Sequence, residues 1–350
     1  MKKTYHVGID LHKTVAQICV LDAQGEGVEE RRFRLPDREA GDEFVAALKC
    51  WGDEGRFAVE ALGCNRWLVN DLLAAGLDVI VVDATKLDLR KQGKKTDKRD
   101  AREIARRLWL GDLDRYARTY YPTDAEYAHR RLLRVRRDQL RKRTRVVAQI
   151  RSELNAYLMR PPSSVLWTWK SIAWLKAQSF ASEQLDFAFQ ILVSELEAVQ
   201  QRVLDLDRRL KELAKADEEM VQWMEVLPSV GAQTALRMRA ELGDAHRFRD
   251  ARAVASYGGL VPRVAQSADT AHHGRLTKRG NAGLRWIMGQ WAIRLLHRDP
   301  VARAWAAPML RRMHKNNVRV ALTRRLLEGV CVILTRGEVF SLERCLGRDA

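Results

Sequence analysis

What this 350-residue chain lacks removes several classes of protein at once. No apolar run reaches the ~18 residues of a membrane span, and the N-terminus has no apolar signal-peptide core. The five cysteines (Cys19, Cys50, Cys64, Cys331 and Cys345) form no C-x-x-C pair, which leaves no pattern for zinc or for a disulfide framework. No Gly-x-Gly-x-x-Gly segment offers a nucleotide cradle, which argues against an actin-like ATPase or sugar kinase. Acidic residues are in the minority, 45 Asp and Glu against 62 Lys and Arg, giving a net charge of +17. Such a balance predicts nucleic acid and not a membrane as its partner, and with no span or signal core the expected setting is the cytoplasm or nucleoid.

The hydrophobic fraction of 46% is ordinary, and the length suits two or three domains. The positive charge is concentrated: residues 86–151 carry 22 Lys and Arg against 9 Asp and Glu. A solvated helix face normally mixes signs. A membrane-surface helix needs an aromatic apolar face, and Arg130 to Arg151 has few aromatics.

The first hundred residues alternate between two periodicities. Strands are predicted at His6–Asp10, Ala16–Leu21, Arg31–Leu35, Phe57–Glu60 and Val79–Asp83, and helices at Arg38–Cys50, Arg66–Ala75 and Asp100–Leu110. Three strands followed by alternating helix and strand is the order of the ribonuclease-H fold, so an α/β domain is expected over 1–122. Over 123–219 the pattern is an Arg-rich helix, a patch with Trp167, Trp169 and Trp174, and then a coiled-coil seam. That seam runs Leu185, Phe189, Leu192, Leu196, Val199, Val203, Leu206, Leu210 and Leu213 in steps of four and three. It predicts helix pairing, either within the chain or, as favoured here, partly across a dimer. Residues 220–350 read as all-α, with a helix-hairpin-helix-like turn at Leu227-Pro228-Ser229-Val230-Gly231 and a basic loop at Gly274–Asn281.

Four carboxylates stand out against this cationic background. Asp10 and Glu60 each end an apolar strand, while Asp97 and Asp100 lie three apart, on one face of any helix there. Phosphodiester cleavage requires the charge on attacking and leaving oxygens to be neutralised, and Mg²⁺ held by carboxylates does this. Taken singly, an acid at a strand end is more often a cap or turn residue, and Asp97 and Asp100 also read as partners of Lys98 and Arg99 or as N-caps.

In this order the motifs resemble the DEDD transposases of the insertion-sequence 110 family, recombinases guided by a structured bridge RNA. The match rests on Gly8-Ile9-Asp10-Leu11-His12-Lys13, Val59-Glu60-Ala61 and Lys95-Thr96-Asp97-Lys98-Arg99-Asp100-Ala101. In the C-terminal part it rests on Leu227–Gly231, Ser256-Tyr257-Gly258-Gly259-Leu260-Val261-Pro262 and Thr277-Lys278-Arg279-Gly280-Asn281. The resemblance implies a RuvC-like nuclease domain whose Asp10, Glu60, Asp97 and Asp100 bind Mg²⁺. It also implies a C-terminal transposase domain whose Ser256 forms a covalent phosphoserine link to DNA. Donor and target DNA, a bridge RNA and a homodimer or homotetramer are the implied partners. The chain departs from the family at Ser267-Ala268-Asp269, where Ser-Gly-Gly is usual, and at Ala61-Leu62-Gly63-Cys64, where Thr-Gly is usual.

The expected nucleic-acid contacts are Lys13, Lys94, Lys95, Lys98 and Arg99, then Arg130, Arg131, Arg134, Arg137, Arg141 and Arg145, and finally Lys278, Arg279 and Asn281. Guanidinium groups both pair with phosphates and stack on bases, which makes the Arg-rich helix the expected RNA-facing surface. The tryptophans are expected mainly as packing anchors, and His272 and His273 as exposed loop residues. The nearest alternative is a RuvC-like hydrolytic junction nuclease with the same metal site. A non-catalytic RNA-binding protein is the alternative from another class.

Overall fold

A computed structural model describes residues 4–83, 96–267, 270–276 and 280–347. It divides the chain into two compact units, residues 1–121 and 122–350. The expected contacts Lys94, Lys95, Lys278 and Arg279 lie outside the described residues. No helix among the described residues is long and apolar enough to cross a membrane.

The first unit is a six-stranded mixed sheet with helices on both faces. Strands β1 (Tyr5–Leu11), β2 (Val15–Leu21) and β3 (Gly27–Arg34) form an antiparallel meander. Then follow α1 (Arg38–Lys49), β4 (Gly55–Glu60), α2 (Arg66–Ala74), β5 (Asp78–Val82), α3 (Asp97–Trp109) and β6 (Arg118–Thr119). The spatial order is β3-β2-β1-β4-β5-β6, with β4 parallel to both β1 and β5. The period of two sorts side chains between the faces. Val7, Ile9 and Leu11 of β1 and Phe57 and Val59 of β4 pack with Phe44, Leu48, Leu68 and Leu72 of α1 and α2. The alternate positions face α3, where Ala58, Ile80 and Val82 meet Ile104 and Leu108. Gly8 and Asp10 belong to this second face.

Helix α3 starts at Asp97, three residues before the expected Asp100, because the Thr96 side chain accepts the Arg99 N–H and caps the helix. Both Asp97 and Asp100 therefore lie in its first turn, where the helix dipole favours negative charge.

The second unit opens with α4 (Asp124–Ala156), whose start is fixed by a capping box between Thr123 and Glu126. After α5 (Trp169–Lys176) comes α6 (Glu183–Lys215), equal in length to α4 and antiparallel to it. Arg136 pairs with Asp207, and Arg143 donates to Gln200 Oε1 at 2.9 Å. The apolar seam of α6 is used inside the chain: Phe189, Leu196, Val199, Val203 and Leu210 are buried without a partner subunit. Pairing within the chain, the alternative to the partial dimerisation favoured from the sequence, accounts for these five positions, while Leu185, Leu192, Leu206 and Leu213 of the seam stay half-buried.

The remaining helices are α7 (Glu218–Val226), α8 (Ala232–Leu242), α9 (Ala251–Tyr257), α10 (Ala282–Arg298), α11 (Pro300–Leu310), α12 (Lys315–Arg336) and α13 (Leu342–Cys345). They share a core centred on the fully buried Trp291, with Leu236, Met288, Leu322 and Leu326 around it. The region is not all-α, because a hairpin of β7 (Pro262–Ser267) and β8 (Thr270–Leu276) separates α9 from α10. Its Ala, His, Gln and Arg positions carry little strand propensity, so backbone pairing decides the structure where sequence pattern could not.

Candidate active site

Asp10 is 2% exposed although it carries a carboxylate. It follows the Ile9–Val59 pairing of β1 with β4, so Glu60 at the end of β4 stands beside it. The first turn of α3 brings Asp97 and the buried Asp100 to the same face. Burial pushes the Asp10 carboxyl up to about 6; His12 opposes the shift, and the charges of Asp100, Asp97 and Glu60 add to it. The other three acids expected from the sequence thus all act electrostatically on Asp10. Like charges gathered in a partly desolvated site are unfavourable unless a cation joins them.

Two further observations fit a cation. Asp10 Oδ2 is buried and has no hydrogen-bond partner. Ligand atoms of Asp10, His12 and Asp97 lie within 4.8 Å of one another. His12 Nε2 stands 3.3 Å from Asp10 Oδ2 and 3.3 Å from Asp97 Oδ1, and Arg32 approaches Asp97 at 3.9 Å. The oxygen-rich donor set suits a hard divalent ion. Sequence reasoning placed His12 in a motif without giving it a role. Its position two residues after Asp10 was the available signal, since alternate residues share a face.

Around this cluster Lys13, Lys98 and Arg99 are exposed. Lys98 is held by Glu30 at 2.6 Å, and Arg102 grips the same carboxylate, so part of the local positive charge is neutralised within the unit.

The second unit holds Ser256 in the last turn of α9, with its side chain in solvent. The backbone around it is braced. Gly259 N–H donates to the Ser256 carbonyl at 2.8 Å, and Asn281 N–H donates to the Tyr257 carbonyl at 2.7 Å. Arg285 Nη1 donates to the Gly258 carbonyl at 2.8 Å. Gly280, at φ +125°, lies so close that a Cβ there would be 2.4 Å from the Tyr257 carbonyl oxygen.

Asn281, expected as a nucleic-acid contact, is instead committed inside the unit. Its Nδ2 donates to Glu241 Oε2 at 2.7 Å and to Tyr257 Oη at 3.1 Å, while its Oδ1 caps α10 by accepting from Leu284 N–H. Tyr257 Oη in turn donates to the Glu241 carbonyl at 3.0 Å. Glu241 is 4% exposed and faces the equally buried Arg237 at 3.6 Å. Burial lowers the pKa of Arg237, and Glu241 opposes that shift.

The six arginines expected to face RNA divide in two. Arg131, Arg134, Arg141 and Arg145 are exposed, and their spacing places them along one side of α4. Arg130 and Arg137 turn inward: Arg130 Nε donates to the Ala240 carbonyl at 2.5 Å, and Arg137 is half-buried beside α8. Trp167 and Trp174 pack against the apolar cluster between α4 and α6, with Arg143 over the Trp167 ring, whereas Trp169 is 48% exposed.

Comparison with known proteins bears on both units. Residues 7–159 match a transposase family model of the DEDD type named for IS110, and residues 222–306 match one described as "Transposase IS116/IS110/IS902 family". The transposase for insertion sequence element IS1111A of Coxiella burnetii is 26% identical over 349 residues, which span 97% of this chain and 92% of that protein. A "probable family 20 transposase" of Pseudomonas aeruginosa is 24% identical over 340 residues, 94% of this chain and 96% of that one. The transposase for IS1533 of Leptospira borgpetersenii is 26% identical over 264 residues, 73% and 74% of the two chains.

Proposed function

The chain belongs to the IS116/IS110/IS902 family of transposases and is a DNA recombinase; from that premise we propose that it moves an insertion sequence with a cation-binding tetrad and a serine nucleophile. We read the first unit as RuvC-like, with Asp10, Glu60, Asp97 and Asp100 holding divalent metal, Mg²⁺ in the simplest case. The observation that carries this reading is the buried Asp10 carboxylate, which lacks a hydrogen-bond partner on Oδ2 and is surrounded by three further acids. When bound, the metal supplies charge neutralisation for the oxygens of the phosphate under attack.

Ser256 is the proposed nucleophile. Its Oγ attacks a DNA phosphorus, a phosphoserine ester forms, the bond from phosphorus to the leaving DNA oxygen breaks, and that oxygen takes up a proton. Attack by the hydroxyl of the exchanging strand reverses these steps and frees the serine. Each ester broken is replaced by another, so no ATP is consumed. The bracing by Asn281, Arg285 and Gly280 keeps this exposed hydroxyl at a fixed place on the second unit.

The exposed arginine stripe of α4 supports a nucleic-acid surface, and we assign it to a structured bridge RNA whose base pairing selects donor and target DNA. The antiparallel α4–α6 pair is then the coiled coil implied by the steps of four and three. The turn between α7 and α8 is a helix-hairpin-helix element, with Lys211, Lys215 and Arg294 lining the cavity beside it. Exchange between two duplexes calls for a dimer or tetramer on DNA.

Adduct trapping tests the proposal. Wild type with cognate donor and target DNA should give a denaturation-resistant protein–DNA adduct, and Ser256→Ala should give neither adduct nor recombinant. Cleavage by Ser256→Ala at the wild-type rate would assign the chemistry to water and make the protein a junction nuclease.

A further inference from the structure

We propose that His12 is a nitrogen ligand of the cation site and tilts its preference from Mg²⁺ toward divalent transition ions such as Mn²⁺. The proposal rests on the reading of the carboxylates as a metal site. His12 Nε2 is equidistant, at 3.3 Å, from Asp10 Oδ2 and Asp97 Oδ1. The three ligand atoms lie within 4.8 Å of one another. Ligands on one six-coordinate ion with bonds of about 2.1 Å are roughly 3 Å apart when adjacent and roughly 4.2 Å when opposite. Two of the separations here, at 3.3 Å, are close to those of adjacent ligands on one ion, and the third is no more than 4.8 Å.

An ordinary ion pair explains the geometry less well. A histidine that served as a hydrogen-bonding counter-ion would satisfy the acid it faces. Asp10 Oδ2 is instead left without a hydrogen bond despite the neighbouring imidazole. A buried oxygen with no hydrogen-bond partner and an imidazole nitrogen, together beside a third donor, form a chelate and not a closed pair. Location agrees with this role. Asp10 is on the floor of the site, and the His12 side chain is 45% exposed at its mouth, free to adjust to an incoming ion.

The chemical consequence is selectivity. Mg²⁺ takes oxygen ligands and gives up water reluctantly, so a nitrogen donor adds little to its binding. Imidazole binds transition ions well, and a mixed site of carboxylates and one imidazole favours them.

Full-length protein titrated with Mn²⁺ and with Mg²⁺, followed by calorimetry and by pulsed electron paramagnetic resonance of bound Mn²⁺, tests this. Wild type should show modulation from a directly coordinated ¹⁴N. His12→Ala, with an unchanged circular dichroism spectrum, should lose that modulation. Its Mn²⁺ affinity should fall on the order of tenfold while Mg²⁺ affinity stays within about threefold. Nitrogen modulation that is absent in wild type or persists in His12→Ala overturns the proposal, as does an unchanged ratio of the two affinities. Asp10→Asn separates the two levels of the argument. It should lose both ions, and normal binding of both by that variant would sink the carboxylate site itself.

Discussion

Gly8 and Ala101 are in backbone contact: a Cβ built on Gly8 would stand 2.2 Å from the Ala101 carbonyl oxygen, and 2.4 Å from the Ala105 nitrogen. Strand β1 and helix α3 touch there with no side chain between them. That closeness carries the α3 N-terminus, with Asp97 and Asp100, to the end of β1 where Asp10 lies. One missing side chain thus sets the spacing of the carboxylate cluster.

Gly8→Ala should therefore damage both fold and site. The added methyl meets backbone, which does not rotate away, so α3 must move off the sheet at a cost of about 1–3 kcal/mol. Urea unfolding should show this loss, and calorimetry should show weakened divalent-ion binding. Gly27→Ala is the control, since nothing lies within 4 Å of its Cβ position and the residue is exposed.

Asp10→Asn should stabilise the metal-free protein while abolishing recombination. Burial and neighbouring acids raise Asp10 from 3.8 to about 6, so the folded state binds this proton more tightly than the unfolded state. The resulting stability is fully present below pH ~4 and is lost as pH rises through ~6. In chelator the two proteins should melt alike at pH 4, and the variant should melt a few degrees higher at pH 7. Saturating divalent metal should reverse that order, because it stabilises the form that binds it. A wild-type advantage in chelator at pH 7 would contradict the strained-carboxylate picture.

The sheet was legible in the sequence because Tyr5–Ile9 and Phe57–Val59 are short, mainly apolar runs of strand length. The ends of those runs marked Asp10 and Glu60 as strand-end acids. The start of α3 was read three residues late, since a Thr96 cap without a glutamate at N3 is a weak sequence signal. Inward arginines were not legible at all. Arg130 is distinguished from Arg131 by partners more than 100 residues away in sequence, the Ala240 carbonyl and the Glu241 carboxylate. The role of Asn281 was equally hidden, because Glu241 and Tyr257 reach it only through packing among α8, α9 and α10. Local pattern reveals periodicity, whereas partners contributed by distant elements become visible only in the folded chain.

Asn281→Ala should slow chemistry at Ser256 beyond its effect on stability. The substitution removes the α10 cap and two donated hydrogen bonds, a loss of about 1–2 kcal/mol. The backbone bond to Tyr257 survives in principle, but its anchor loosens. Single-turnover adduct formation with cognate DNA should fall even at temperatures where the variant stays fully folded, while divalent-ion affinity of the first unit stays at the wild-type value. Equal adduct rates in the two folded proteins would show that the bracing serves stability alone.

The arginines of α4 permit a sharper separation, because neighbouring residues of one type have opposite surroundings. Arg134 and Arg141 are exposed, Arg141 with Asp138 at 3.6 Å, whereas Arg136 is held by Asp207 across to α6. Each cation that neutralises a phosphate contributes about 0.7–0.9 to the slope of log K against log salt, the lower figure for single strands. Replacing Arg134 and Arg141 together with glutamine should therefore flatten the slope by about 1.4–1.8 and leave the melting temperature unchanged. Arg136→Gln should do the opposite. It leaves Asp207 half-buried with a weaker partner set, so melting should fall while the salt slope holds. Filter binding across a salt series, run beside thermal unfolding for both variants, reads the two effects independently. A double variant that melts early with an unaltered slope would assign the exposed stripe to structure and remove α4 from the nucleic-acid surface.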